Sequence, residues 1–439
     1  MRFFQNQLSR ESIRHFLLDV ARGRFSQDVF WNWLSLGVLA AGGIVVNLII
    51  VSWRGTAALG IFNQVFAVYI ILSQIGVGGI QFSVLNYVSR HQENPAKCAE
   101  ITTAALVLIT AIAGMVGVAC YFVAKPVGGL LQSPAVGLGL QLVAPGLLFY
   151  ALNKALINAV NGVRRMKAYA VLRATRYLLL PCTILIILLY GMADSYIVLA
   201  LAVTEAILFA VLATYVELCL FSLCSFANVR YWIIKHFSFG ARGFLAGLLT
   251  EANTRVDVLM LGFFKGDAMV GVYSFAAVLA EGFAQIPIAV RWNIDPILGC
   301  CFAEQKKEQI SLMARKIKLI FYPVMFIAGF IAVLTYPFIF KCWLKTNELF
   351  AGWAIFAIIM SGIVLSAGYQ SFMGILLQGE RPGANTLFMA GLVLGNFLLN
   401  ILLIPFWGIY GAALANGLTY IFGAISLAVI ARWLMGIRL

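Results

Sequence analysis

Long runs of apolar residues constrain the fold of this chain more than any other feature of its sequence. The run from Ile101 to Ala124, ITTAALVLITAIAGMVGVACYFVA, contains no charged side chain. A helix of about 20 apolar residues crosses a hydrocarbon core about 30 Å thick and satisfies its own backbone hydrogen bonds. Membrane strands would alternate between apolar and polar residues, and these runs do not alternate. The sequence therefore predicts an α-helical integral membrane protein.

The number of such runs predicts about twelve transmembrane helices. Only 11% of the 439 residues are charged, whereas soluble chains carry roughly 25%. The connections are short, so we expect no separate soluble domain. The predicted spans cover residues 29–52, 59–84, 100–123, 138–160, 168–190, 196–223, 238–263, 268–294, 317–340, 350–376, 385–405 and 409–435.

The positions of the basic residues predict the orientation of the chain. If both termini face the cytoplasm, most of the 31 Lys and Arg residues lie on the cytoplasmic side, as the positive-inside rule requires. The net charge of +14 is then a consequence of topology, and no nucleic-acid partner is expected. Three basic residues remain at membrane depth, namely Lys154, Arg255 and Arg291. The external side receives only Arg54, Lys125, Lys265, Lys341 and Lys345.

The eight cysteines do not have the spacing of a metal site or a disulfide framework. They lie mostly in or beside apolar runs, and no CxxC pair occurs. We therefore expect no metal site, no disulfide and no cofactor.

An internal repeat predicts two lobes of six helices each. RGTAALGIF (Arg54 to Phe62) matches KGDAMVGVY (Lys265 to Tyr273) at an offset of 211 residues. NGVR, ending at Arg164, matches QGER, ending at Arg381, and IILLYG matches IPFWG, both at an offset of 217 residues. Repeats with an even number of spans have the same orientation, so their axis runs along the membrane normal and a cleft lies between them.

The repeat and the charge pattern together predict four regions. These are a basic, amphipathic cytoplasmic tail over residues 1–28, an N-lobe over 29–224, a cytoplasmic inter-lobe linker over 225–237 and a C-lobe over 238–439.

The segment TRVDVLMLGFFKGDAMVGVYSFAAVLAEGF (Thr254 to Phe283) and the NG-x-R and QG-x-R turns carry a family resemblance. With them the chain resembles the multidrug/oligosaccharidyl-lipid/polysaccharide (MOP) exporter superfamily, and most of all the Wzx-type O-antigen flippases of its polysaccharide-transporter branch. The resemblance extends over residues 29–435. It implies the MATE-like MOP fold, in which two six-helix lobes are related by a pseudo-two-fold axis.

The same resemblance implies a function for the chain. Such a carrier moves an undecaprenyl-pyrophosphate-linked oligosaccharide from the cytoplasmic to the periplasmic leaflet of the bacterial inner membrane by alternating access. Coupling to H⁺ or Na⁺ is expected, without a cofactor. The expected partners are the lipid-linked glycan, membrane lipids and other polysaccharide assembly proteins, and we expect the carrier to be a monomer.

Span 7 holds the densest set of charges at membrane depth. Glu251 and Arg255 are four residues apart and share a helix face, whereas Asp257 points about 200° away from Arg255. In one interpretation Glu251 and Arg255 pair, and Asp257 bonds to a neighbouring helix or turn. In the other, the Arg255 guanidinium binds a pyrophosphate or acidic sugar, and Glu251 or Asp257 takes the coupling ion.

Spans 4 and 5 supply further candidates for substrate binding. Lys154, Asn158 and Asn161 lie on one face of span 4, which suits either a polar cavity or hydrogen bonds between helices. Lys154 favours the cavity because it lies too deep to snorkel easily. A basic collar at the start of span 5 either anchors the topology or attracts an anionic headgroup. The collar consists of Arg164, Arg165, Lys167, Arg173 and Arg176.

Neutral amides and buried acids complete the candidates. Gln74 and Gln81 share a face of span 2 and suit sugar hydroxyls or helix packing. Glu281 in span 8 and Glu205 in span 6 are candidate protonation sites, because a buried carboxyl can become neutral. Near the cytoplasmic end of span 8, we expect Arg291 to form a salt bridge with Asp295.

Two other functions remain open from the sequence. A multidrug and toxin extruder, an antiporter of the same fold, would bind organic cations in an acidic, aromatic-lined cavity, which Lys154 and Arg255 disfavour. A membrane polymerase or ligase would need a structured external segment to hold the reacting sugars. The external connections here are short, so this second class is the less favoured.

Overall fold

The fold was obtained as a computed structural model that describes residues 24–343 and 348–439. Within those ranges the chain is helical, and no strand is present. Most of the predicted tail, residues 1–23, lies outside the described residues. The helices are α1 (Arg24–Val77), α2 (Ile80–Arg90), α3 (Pro95–Leu130), α4 (Pro134–Gly162), α5 (Met166–Leu189), α6 (Leu199–Cys219), α7 (Val229–Asn253), α8 (Val256–Lys265), α9 (Asp267–Ala303), α10 (Lys307–Trp343), α11 (Gly352–Gln370), α12 (Ile375–Gln378) and α13 (Pro382–Met435).

Every predicted span corresponds to helix in the structure. Nine helices of the described chain are long and apolar enough to cross a membrane. Two of these, α1 and α13, leave helical geometry at Gly55 and Gly408 and therefore cross twice. The remaining crossing, span 7, is divided between α7 and α8 by a break at Thr254 and Arg255. The chain is thus an all-α, multi-pass membrane protein.

Backbone geometry supports the internal repeat. Gly55 has φ 82° and ψ −176°, and Gly266, 211 residues later, has φ 81° and ψ 172°. Only glycine adopts this region readily, which explains why both turns contain it. Gly191 and Gly408, the second pair of matched turns, also share a positive φ, of 67° and 54°. Equivalent turns in the two halves therefore have equivalent conformations.

One predicted match is out of register by a single residue. After α4 the left-handed residue is Arg164, and after α12 it is Glu380 rather than Arg381. The backbone N–H of Arg165 donates to Val160 O at 3.3 Å, and that of Arg381 donates to Leu376 O at 2.8 Å. Arg381 is therefore the counterpart of Arg165. The offset of 217 predicted for this turn is wrong, because arginine identity does not determine which residue adopts the left-handed conformation.

The two lobes cross tightly where the second arm of α1 meets the start of α9. A side chain at Gly60 would collide with the backbone of Asp267, and one at Gly271 with the backbone of Thr56. These two contacts exchange under the repeat, since Thr56 matches Asp267 and Gly60 matches Gly271. The pseudo-two-fold axis therefore passes through this crossing, at the end predicted to be external.

Hydrophobic packing shows which end of the molecule is closed. One core cluster contains residues of both lobes, including Leu59, Leu140, Phe275 and Ile359, which lie in the predicted external halves of their spans. Towards the predicted cytoplasmic end the lobes have separate cores. One surrounds Ile101 in the N-lobe, and the other surrounds Phe372 in the C-lobe. The two lobes therefore pack together at the predicted external end, and the cleft separates them on the predicted cytoplasmic side.

The predicted linker, residues 225–237, is largely helical. Helix α7 begins at Val229, so residues 229–237 form its first turns. Trp232 and His236 are buried against the N-lobe. The His236 ring lies 2.5 Å from Ser83 Oγ through Nδ1 and 3.0 Å from Ile101 O through Nε2. The mixture of polar and apolar residues in this segment is typical of a loop that connects two domains. In the structure the segment is helical, and its aromatic side chains pack against the N-lobe.

Candidate functional site

A polar cavity of about 520 Å³, which we call the N-lobe cavity, is lined mainly by N-lobe residues and is completed by Glu251, Arg255 and Trp292 of the C-lobe. It falls within the range of about 300–1,000 Å³ that ligand pockets occupy. Four of the predicted substrate-binding residues line it, together with the predicted acid Glu251: Lys154, Asn158, Arg176 and Arg255. Arg173 of the basic collar lines it as well, as do Tyr150, Tyr169 and Tyr177. Spans 4, 5 and 7, distant in sequence, thus contribute cations to one cavity.

Lys154 is a cation without an ionic partner in the described part of the chain. Its Nζ lies 5.3 Å from the centre of the Tyr150 ring, and no described carboxylate lies within 4.0 Å. Asn158 donates from Nδ2 to the Lys154 carbonyl oxygen at 2.7 Å, which fixes its amide against the same helix. Tyr150 is hydrogen-bonded to the Lys154 ammonium and Glu251 attracts it from the same lining, but neither forms a close ion pair that would exclude an anionic ligand.

The pair predicted between Glu251 and Arg255 does not form. The helix breaks between them, and Arg255 takes the non-helical position immediately before α8, with φ −126°. Its guanidinium lies 5.1 Å from the Phe66 ring, and its buried Nε has no hydrogen-bond partner among the described residues. A buried donor without a partner costs about 1–3 kcal/mol, which a bound acceptor would offset.

Glu251 instead contacts span 2. Gln74 donates from Nε2 to Glu251 Oε1 at 3.4 Å, which places Gln74 beside the cavity wall. Gln81, one of the predicted substrate ligands, is buried seven residues further along the chain. It does not line the cavities of the site. The helix face predicted for the two amides is interrupted, because α1 ends at Val77 and α2 begins at Ile80 after the left-handed Gly78 and Gly79. Only Gln74 contacts a residue that lines the cavity.

Arg176 and Glu205 form the tightest ion pair in the cavity wall. Arg176 Nε lies 2.7 Å from Glu205 Oε1, and Nη2 donates to Oε2 at 2.9 Å. Asn153 donates to the same Oε2 at 2.8 Å, and Tyr150 lies beneath the guanidinium at 4.8 Å. Glu205 is thereby engaged as an acceptor for Arg176. Asn153 could not be predicted from the sequence, because a single amide in an apolar span gives no indication of its partner.

A second, central cavity of about 210 Å³ lies between the lobes. Arg255 lines both this cavity and the N-lobe cavity, and Glu281 and Gln285 also line the central one. The predicted acid Glu281 therefore faces the same space as the unpaired guanidinium. The neutral amides Asn47 and Asn63 also line it, and Asn63 donates to Asn47 Oδ1 at 3.2 Å.

Asp257 is buried behind these cavities and is fully hydrogen-bonded. It accepts from Tyr273 OH, from Asn416 Nδ2 at 2.8 Å and from the backbone N–H of Val258 at 3.0 Å. This network joins α8, α9 and α13, as the prediction of a bond to a neighbouring helix requires. Asn416 in turn lines a third cavity of about 230 Å³ in the C-lobe. The contact of Asn416 with Asp257 could not be predicted from the sequence, because the two residues are 159 positions apart.

The salt bridge predicted between Arg291 and Asp295 is present, with 3.9 Å between Nε and Oδ2. Within the described residues, no group of three His, Cys, Asp or Glu side chains is arranged to hold a metal ion. The site therefore offers cations, amides and a few carboxyls, a set suited to binding an anionic or polar ligand.

Comparison with known proteins identifies similar sequences and folds. A family model described as "Polysaccharide biosynthesis protein" matches residues 25–285. The chain is 22% identical over 403 residues to the probable flippase AglR of Haloferax volcanii, which covers 87% of this chain and 78% of that protein.

Two solved structures share the fold at low sequence identity. The lipid II flippase MurJ, in an inward closed conformation, matches with a TM-score of 0.74 and 12% identity, over 92% of this chain and 87% of that one. An inward-facing multidrug resistance MATE transporter of the MOP superfamily also matches with a TM-score of 0.74 and 12% identity, over 91% and 94% of the two chains.

Proposed function

Because the chain belongs to the polysaccharide biosynthesis protein family of the MOP transporter superfamily, we propose that it flips an undecaprenyl-pyrophosphate-linked oligosaccharide. Its family and fold are those of a membrane transporter rather than an enzyme. The proposed direction is from the cytoplasmic to the periplasmic leaflet of a bacterial inner membrane, by alternating access. The O-antigen repeat unit is the substrate class that we propose.

The observation that carries this proposal is that two cations of the N-lobe cavity, Lys154 and Arg255, form no salt bridge with a described carboxylate. Ionisable residues at membrane depth are costly and face a wet cavity or a partner. Lys154 and Arg255 face such a cavity and have no carboxylate within 4.0 Å among the described residues. A pyrophosphate supplies the missing negative charge, whereas an organic cation, the cargo of a drug extruder, would be repelled.

The membrane potential favours this direction of transport. With the cytoplasm negative, each negative charge that moves outward gains about 2.3 kcal/mol per 100 mV. We assign the coupling ion to the central acids. Glu281 faces Arg255 across the central cavity and is the leading candidate for a proton, followed by Glu251. Asp257 is a third candidate, but three donors already hold it.

Flipping by purified protein in liposomes tests both cations. Lys154→Gln and Arg255→Gln should each reduce the rate of flipping of a pyrophosphate-linked glycolipid at least tenfold, because each removes a charge-assisted contact to the phosphates. Lys307→Gln and Arg230→Gln are matched controls, since both residues are exposed and lie outside the cavity. Normal rates in both cavity variants would remove the N-lobe cavity from the transport path.

The same liposomes test the coupling ion. If Glu281 takes the coupling proton, an imposed pH gradient should change the flipping rate of the wild type but not that of Glu281→Gln. A wild-type rate that is indifferent to both the pH gradient and the membrane potential would contradict coupling altogether. Mass spectrometry of lipids retained by the purified protein would identify the glycan.

A further inference from the structure

The C-lobe cavity differs in chemistry from the N-lobe cavity. Glu281 and Arg291 are its only charged lining residues in the described chain, and Arg291 is paired with Asp295. The remaining polar groups are neutral amides and hydroxyls contributed by α7, α9, α11 and α13. They are Thr250, Asn253, Thr254, Gln285, Gln370, Asn396, Asn416, Thr419 and Tyr420.

Neutral amides beside an apolar wall form the kind of surface that a sugar needs. Sugar hydroxyls both donate and accept hydrogen bonds, and so does each carboxamide. The Tyr420 ring, with Met373, Met389 and Leu392, supplies an apolar wall for the C–H face of a sugar ring. A diphosphate would meet a single arginine in this cavity, and the positive charge of Arg291 is offset by Asp295 at 3.9 Å and by Glu281 in the same lining.

One amide of this cavity lacks a partner in the described structure. The Oδ1 atom of Asn253 is buried and accepts no hydrogen bond, although the Asn253 backbone oxygen accepts one from Asn396 at 3.1 Å. Asn253 immediately precedes the break in span 7, and Arg255 lies on the other side of that break. A ligand hydroxyl would satisfy the Asn253 oxygen while the Arg255 guanidinium binds an anion.

The three cavities are neighbours, because they share lining residues. Arg255 lines the N-lobe and central cavities, and Glu281 and Gln285 line the central and C-lobe cavities. The C-lobe cavity alone is below the size of a typical ligand pocket, about 300–1,000 Å³, so it accommodates one part of a larger ligand.

We propose that the two lobes bind different parts of one substrate: the N-lobe cavity binds the pyrophosphate, and the C-lobe cavity binds the sugars nearest to it. This inference rests on the proposed flippase function and adds a separate glycan subsite to it. Substrate that occupies both cavities would contact both lobes, because Lys154 belongs to the N-lobe, whereas Arg255 and the lining of the C-lobe cavity belong to the C-lobe.

Binding of two lipids tests the glycan subsite. Purified protein in nanodiscs is titrated with undecaprenyl pyrophosphate and with the pyrophosphate-linked glycan pool extracted from the source cells. The wild type should bind the glycosylated lipid about tenfold or more tightly than the bare one. The double variant Gln285→Leu, Gln370→Leu should lose this preference and bind both lipids as the wild type binds the bare one.

Lys154→Gln is the matched variant in the other lobe, and it should lower the affinity for both lipids by the same factor. Thermal unfolding confirms that each variant is folded, and Gln285→Leu alone is measured as a milder change. Equal wild-type affinities for the two lipids would overturn the glycan subsite. So would an equal fall in affinity for both lipids in the C-lobe variants. Binding of neither lipid by the wild type would instead overturn the proposed function itself.

Discussion

At the scale of single residues, similar charged side chains in this membrane protein have opposite roles. Arg176 and Arg255 both line the N-lobe cavity. Arg176 is neutralised by Glu205 and supported by Tyr150, whereas Arg255 has no carboxylate within 4.0 Å in the described structure. The first organises the cavity wall and the second is free to bind. Composition and spacing alone could not distinguish them, because the difference depends on one carboxylate in another helix.

The Arg176 and Glu205 pair yields a prediction of stability. Glu205→Ala leaves a half-buried guanidinium without its carboxylate. Loss of one partner of a fully buried pair destabilises a protein by about 3–5 kcal/mol, and the contact of Arg176 with the cavity reduces the loss here. We expect a lower unfolding temperature in detergent and reduced yield from membranes. The double change Glu205→Ala with Arg176→Met should recover part of the loss. Glu308→Gln is the control, since that acid is exposed; equal effects of Glu205→Ala and Glu308→Gln would contradict the pairing.

At the scale of elements, the breaks in helices are more informative than the helices. Gly55 and Gly266 turn the chain between consecutive spans with nearly the same φ and ψ. The break at Thr254 and Arg255 in span 7 places an arginine at the start of a half-helix, beside the central cavity. Discontinuous helices at membrane depth commonly form the binding sites of transporters, because their ends present unpaired polar groups.

The turn at Gly266 yields a prediction about an element. Gly266→Ala adds a Cβ to a backbone conformation that residues other than glycine rarely adopt, which costs about 1–3 kcal/mol. We expect a matching fall in unfolding temperature. Gly391→Ala is the control, because Gly391 lies inside α13 with no atom near its added methyl group. There alanine should be neutral or slightly stabilising. A Gly266→Ala variant as stable as Gly391→Ala would show that the turn does not need glycine.

At the scale of the whole molecule, the lobes are held together at the predicted external end. Asp267 of the C-lobe accepts hydrogen bonds from Gln64 Nε2 at 2.6 Å and from Ser133 Oγ at 2.8 Å, both in the N-lobe. These bonds lie beside the two glycine contacts at the crossing of α1 and α9. In the proposed alternating-access cycle this end opens, and these bonds would then break.

Loss of the Asp267 contacts should shift the molecule towards external opening. In Asp267→Ala, spin labels at positions 125 and 406, on the external ends of the two lobes, should show a longer distance component by double electron–electron resonance. Asp194→Ala is the matched control, because Asp194 pairs with Arg54 at 3.7 Å within the N-lobe and does not join the lobes. Identical distance distributions in both variants and the wild type would show that Asp267 does not hold the external end closed.

The sequence by itself determined the membrane class, the twelve crossings, the two-lobe repeat and most of the cavity cations, including Lys154, Arg176 and Arg255. These follow from local composition and spacing, because lipid forces each span to satisfy its own backbone hydrogen bonds. Only the tertiary structure decided that Arg255 and Glu251 do not pair, that Glu205 belongs to Arg176, and that Gln81 lies away from the cavities. It also showed that the lobes share a core at one end only. Each of these outcomes depends on contacts between helices distant in sequence, and the spacing of residues along one helix does not determine which other helix it faces.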